Sequence, residues 1–360
     1  MITGAMATTL GDLLDAHADL LPIPLLIDKL LHQVVLRFAT LPPTHPLYKA
    51  VENAAKCHVK RHPTPLHYLM NNYSGLKPHL METIKPVRMT SGWTPKLATQ
   101  IADSKDKAKE EDEAERARIR VYLDGSGIGG KIGAAVVLYK DGRLKGTRRL
   151  QLGSDKHHMV YEGEGIGMIL GLQLIREEQE EINGMVPMGV DNQAAIMATS
   201  NIRPGPSHHI WDTFHQQLNA TLHAHSRLDL PVCWTLGHVN IVGNERADEE
   251  AKKAAENGSS PKNRLPRSLQ KPLPKSKSAV WQTYHRKLKC TAIKQWQQSP
   301  CYHHMKAIDP TLPSSAFCKF TAELSRKQAA LLIQLRSGHV SLAKHLHHIG
   351  KTESPVCPCC

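Results

Sequence analysis

The chain has 360 residues, 41% of them hydrophobic and 22% charged, a balance that supports a folded core and excludes wholesale disorder. Roughly 150 residues per domain allows two domains, or one with substantial flanks; aromatics are only 5%, so the core has to be mainly aliphatic. The net charge of +13 is lopsided: residues 1–118 carry 15 basic and 13 acidic side chains, residues 119–257 carry 14 and 17, and residues 258–360 carry 17 and 3.

A polyanion, most commonly nucleic acid, is the expected partner of that last segment. Asp28 and Lys29 interrupt the longest apolar stretch, leaving it short of the roughly 18 residues a membrane span needs. The first 28 residues hold no Lys or Arg but do hold Asp12, Asp15, Asp19 and Asp28, the reverse of a secretory leader. The expectation is an intracellular, non-secreted protein with no membrane segment, and its sparse cysteines suit a reducing compartment.

In chain order, LLPIPLLIDKLLHQVVLRFATL and the stretches after it alternate with turns at Pro42-Pro43, Pro63, Pro65 and Pro78. This predicts short helices broken by loops across 1–102. Residues 103–118, DSKDKAKEEDEAERAR, hold little that is apolar beyond alanine and read as a charged linker. The pattern changes at 119. RIRVYLDGS alternates apolar and polar positions, KIGAAVVLYKDG ends in an Asp141-Gly142 turn, and RLKGTRRLQLG follows, giving three strands. A helix over about 158–181, a strand at MVPMGVDN, a helix over 206–225, a strand at PVCWTL and a helix over 243–257 complete the block. The order β-β-β-α-β-α-β-α predicts an α/β fold, a mixed five-stranded sheet flanked by helices over 119–257. Beyond it, 258–278 is a basic Pro/Ser-rich linker and 279–360 a basic helical segment: one helix over 279–298, then two short helices separated by Gly338.

The run Gly125-Ser-Gly127-Ile-Gly129-Gly130 satisfies G-x-G-x-x-G. A dinucleotide loop must open a helix, and here a hairpin strand follows, so the match is accidental. Four acids stand out instead. Asp124 and Asp191 each end an apolar strand, and neighbouring parallel strands would bring both to one edge of the sheet. Glu164 shares a stripe of small residues with Gly167 and Gly171, and Asp248 shares one with Ala251 and Ala255; such stripes face a sheet. Glu162 lies about 200° around the helix from Glu164, so both cannot face one site. Taken singly, Asp124 reads as a turn or cap residue, Asp191 equally well as an N-cap, and each helical acid more often as a solvated side chain. Converging, they would repel one another unless hard cations were bound.

VYLDGSG, YEGEGIGMILGLQLI, VDNQAA and CWTLGHVNIVGNERADEEAK together resemble the ribonuclease H domain, and more closely that of fungal non-LTR (LINE-type) retrotransposon polyproteins. The resemblance covers 119–257 and implies a ribonuclease H-like fold. It also implies hydrolysis of the RNA strand of RNA–DNA hybrids. It assigns two Mg²⁺ ions, with Mn²⁺ as the substitute, to Asp124, Glu164, Asp191 and Asp248. Its mobile histidine, assisting proton movement or product release, falls on His238, and choosing Glu164 over Glu162 rests on aligning the apolar helix. Residues 28–80 look like the stretch joining polymerase to ribonuclease H. No adjacent Asp-Asp pair occurs, so the chain reads as a fragment lacking the polymerase palm. SGHVSLAKHLHHIGKTESPVCPCC looks like the start of the family's terminal Cys/His segment. Cys357, Cys359 and Cys360 are too closely spaced for a complete zinc site, which makes a truncated remnant. The competing reading is a catalytically inactive nucleic-acid-binding remnant.

Overall fold

Proline-punctuated apolar stretches fold as helices in the computed structural model of the protein, which describes residues 4–7, 9–56, 61–237 and 241–357. They are α1 (Gly11–His17), α2 (Ile23–Ala39), α3 (Tyr48–Lys56) and α4 (Pro65–Asn72). A two-residue strand β1 (Thr99–Gln100) and α5 (Lys105–Ala114) follow. Ser104 caps α5 by accepting the Lys107 amide. The charged helix is tied to the next strand: Ala108 is buried, and Asp112 Oδ1 accepts from the Arg120 guanidinium at 2.6 Å.

Three long antiparallel strands come next, β2 (Ile119–Ile128), β3 (Lys131–Lys140) and β4 (Arg143–Ser154). Asp141 and Gly142 join the last two with φ of 52° and 72°, the left-handed pair that a tight hairpin requires. The chain continues through α6 (Val160–Arg176), β5 (Asn183–Met185), β6 (Met188–Val190), α7 (Gln193–Ala198), α8 (His208–Ala224), β7 (Arg227–Asp229), β8 (Val232–Trp234) and α9 (Val242–Asn257). The sheet runs β1-β8-β6-β2-β3-β4, with β6 parallel to β2, and β8 parallel to β6. The five strands expected from the sequence are β2, β3, β4, β6 and β8. β1 adds a sixth, because Thr99 and Gln100 pair parallel to Val232 and Cys233. β5 and β7 form a separate pair.

Helices cover both faces of this sheet. Gly125 abuts α6, whereas Gly133, paired with Ser126 one position further along β2, abuts α9; successive strand residues face opposite sides. A Cβ on Gly133 would lie 2.3 Å from the Ala251 carbonyl, so only glycine lets α9 lie this close. The core between sheet, α6 and α8 is aliphatic, built around Val121, Leu123, Val136, Ile169 and Leu172, with Trp211 and Phe214 from α8.

After α9, the Ser259 and Ser260 hydroxyls accept the Gln151 and Arg149 amides of β4, each at 2.9 Å. The basic linker thereby satisfies donors on an otherwise open edge strand. The remaining helices are α10 (Lys277–Gln297), α11 (Tyr302–Ile308), α12 (Ala316–Thr321), α13 (Arg326–Ser337) and α14 (Ala343–His348). Gly338, at φ 69°, closes α13 as a helix-ending glycine does. Among the described residues no helix is long and apolar enough to cross a membrane.

The chain forms two compact units: Gln33–Thr283, and Met1–His32 with Tyr284–Cys360. The first contains the sheet and a second cluster that includes Val35, Leu36, Val51 and Met70. It also contains a buried polar junction. Glu82 accepts the backbone amides of Ser207 and Lys277. The Ser207 hydroxyl in turn donates to Glu162 at 3.1 Å, and Glu162 accepts the Met159 amide at the start of α6. The other unit is held by small clusters, Leu13, Ala16, Trp296, Met305 and Leu312 in one and Ala5, Phe317 and Ile333 in another. Within that unit His32 stacks on Tyr284 at 3.7 Å, and Tyr284 donates to Asp28 at 2.6 Å.

Candidate metal centre

Asp124 sits on the central strand β2 opposite Ala135 and is only 6% exposed. The next residue brings in the second acid. A Cβ on Gly125 would lie 2.7 Å from the Val160 carbonyl and 2.8 Å from the Glu164 amide, so the first turns of α6 rest directly on the strand. Glu164 therefore enters the site from the helix, 2% exposed. Asp191 follows β6, which pairs with β2. The Trp234 indole holds it by donating to the Asp191 carbonyl at 3.1 Å. Gly237 passes so near that a Cβ there would stand 2.9 Å from Asp191 Oδ2.

These three side chains converge. A carboxylate oxygen of each of Asp124, Glu164 and Asp191 lies within 4.8 Å of the others. Burial, then the charges of Asp191 and Asp248, push Asp124 up to about 8, while the Gly125 amide and the Lys252 ammonium pull it back. Burial, then Asp124 and Asp191, push Glu164 well above the usual carboxylate range. Among the described residues, the Glu164 Oε2 oxygen is buried without a hydrogen-bond partner. An acid cluster of this kind is costly by itself and suits a bound cation.

Asp248 lies on α9, outside that group of three, yet near enough for its charge to act on Asp124. The Lys252 ammonium meets Asp248 Oδ2 at 2.6 Å. His238 lies outside the described residues, which omit 238–240. Glu162, the alternative to Glu164, is turned away into the polar junction by the Met159 amide and the Ser207 hydroxyl. Cys357 is exposed, and Cys359 and Cys360 lie outside the described residues.

Sequence reasoning missed two participants. Lys252 was legible as an i+4 partner of Asp248. Gly237 carried no signal beyond its place before His238.

No family model and no curated protein matches the chain. Its structural neighbours are RNase H domains. One is the RNase H1 of the archaeon Halobacterium salinarum, with 19% identity over 39% of this chain and 100% of its own, at a TM-score of 0.27. Another is the N-terminal RNase H domain of a Mycobacterium tuberculosis protein, with 16% identity over 39% of this chain and 96% of that domain, at 0.31. A third, an RNase H1 isolated from compost by a metagenomic approach and solved in complex with an RNA/DNA hybrid, has 17% identity over 39% of this chain and 97% of its own, at 0.29.

Proposed function

We propose that residues 119–257 hydrolyse the RNA strand of RNA–DNA hybrids with two Mg²⁺ ions, leaving 5′-phosphate and 3′-hydroxyl ends. The observation that carries this reading is the convergence of Asp124, Glu164 and Asp191 within 4.8 Å. The donor set fits a hard divalent cation: all its atoms are carboxylate oxygens, and Glu164 brings a buried oxygen that no group among the described residues satisfies. Asp124, Glu164 and Asp191 would hold one ion, and Asp248 would complete the set for the second. When bound, such ions act as Lewis acids toward the phosphodiester and acidify water.

The chain's own residues do the remaining work. Gly125 seats α6 so that Glu164 meets Asp124, and Trp234 fixes the backbone that carries Asp191. His238, ten residues before Asp248, is assigned proton movement, a task that an imidazole suits. Selection of the hybrid would rest on contacts to 2′-hydroxyls on one strand and phosphates on the other. Segment 258–360, with 17 basic and 3 acidic side chains, would add affinity that falls steeply with salt. The motifs around Asp124, Glu164, Asp191 and Asp248 support descent from a fungal non-LTR retrotransposon polyprotein.

The test uses the purified full chain, a labelled RNA–DNA hybrid and matched RNA–RNA and DNA–DNA duplexes, with Mg²⁺, with EDTA, and with Asp124→Asn. The expected result is Mg²⁺-dependent cutting of only the hybrid's RNA strand, abolished in the variant. Binding of all three duplexes without cleavage would leave an inactive nucleic-acid-binding protein and overturn the proposal.

A further inference from the structure

Lys252 follows Asp248 by one helical turn, and its ammonium meets the Asp248 carboxylate at 2.6 Å. Pairs at i,i+4 on exposed helices are common and weak, but this one occupies a carboxylate oxygen of the acid that the metal-centre reading gives to the second ion. The ammonium thus adds positive charge to the part of the acid cluster nearest α9. The Lys252 side chain is 45% exposed, against 15% for Asp248, so the ammonium can leave for solvent while the carboxylate stays.

We propose that Lys252 is a built-in counter-cation that holds Asp248 until a second divalent ion displaces it, and so sets the weaker of two metal-binding steps. The inference rests on the metal-centre reading above. The first step, at Asp124, Glu164 and Asp191, proceeds with Lys252 in place. The second requires the ammonium to swing off Asp248, so it is weakened by the energy of that ion pair and strengthened when the pair is removed.

The experiment counts and titrates Mn²⁺ on the full chain without substrate, by isothermal calorimetry and by electron paramagnetic resonance of the unbound ion. The wild type is compared with Lys252→Met and Lys252→Arg. Wild type should show one tight and one weak step. Lys252→Met should tighten the weak step about two- to fivefold, within the range set by an exposed ion pair, and leave the tight step unmoved. Lys252→Arg, which keeps the charge, should stay with wild type. Two steps unchanged in Lys252→Met, or a weak step that loosens, would reduce Lys252 to a surface partner and overturn this inference alone. A wild-type protein that binds no Mn²⁺ would overturn the metal centre as well.

Discussion

Two places in the sheet-bearing unit bury carboxylates to nearly the same depth and treat them in opposite ways. At the junction, Glu82 and Glu162 are each 1% exposed; at the sheet edge, Asp124 and Glu164 are 6% and 2% exposed. Glu162 and Glu164 stand two residues apart on one helix. Glu82 and Glu162 are met by the amides of Ser207, Lys277 and Met159 and by the Ser207 hydroxyl. Asp124 and Glu164 are met mainly by each other and by Asp191, with the Gly125 amide as a shared backbone donor. Burial of an acid therefore says little by itself. What separates a structural carboxylate from one built for a ligand is whether donors or other acids surround it.

The largest effect is expected of Glu82→Ala. It leaves two amides without their acceptor and should cost about 3 kcal/mol, read as a lowered urea midpoint for the full chain. Gly125→Ala should come next, at about 2 kcal/mol from overpacking. Because the new methyl would press on Val160 and Glu164, it should also abolish the divalent-induced rise in Tm. A smaller effect of opposite sign is expected at the edge. Asp124→Asn removes one member of a repelling group and should stabilise the metal-free protein by about 1 kcal/mol, while removing its thermal response to Mg²⁺. An Asp124→Asn protein less stable than wild type without metal would mean that the edge acids are satisfied like those of the junction.

The last expected effect is a pH slope. The folded state binds the Asp124 proton more tightly than the unfolded chain, with a pKa of about 8 against 3.8. Its contribution to stability is fully present below pH 3.8 and is lost as pH rises through about 8. The Tm difference between wild type and Asp124→Asn, measured without metal, should therefore widen against wild type from pH 5 to pH 8. Saturating Mg²⁺ should close it.

Much of the sheet edge was legible from the sequence because it is encoded locally. Asp191 follows an apolar strand, and Glu164 lies on a glycine stripe that needs close packing; Asp124, expected at a strand end, lies within β2, because the glycine-rich residues after it keep pairing with β3. The junction was not legible. Glu82 reaches Ser207 across 125 residues, and no local pattern marks either. Glu162 caps α6 from a start at Met159, where the usual Ser or Thr signature is missing. β1 was missed for a similar reason: two residues are too few to show alternation, and only the neighbouring β8 makes them a strand.

The span between Glu82 and Lys277 is 195 residues, and it shapes how the protein is made. During synthesis Glu82 leaves the ribosome while most of its partners are still unwritten. The sheet and α9 can assemble first, but the carboxylate gains its last amide only when the chain has grown past Lys277. Contacts of such long reach slow folding and prolong exposure of unfinished surfaces. The junction is thus completed only after the sheet and α9 have been made, together with the packing of Val280 and Trp281 on the neighbouring apolar cluster, and a pause in translation before residue 277 would leave a buried acid waiting for its donor.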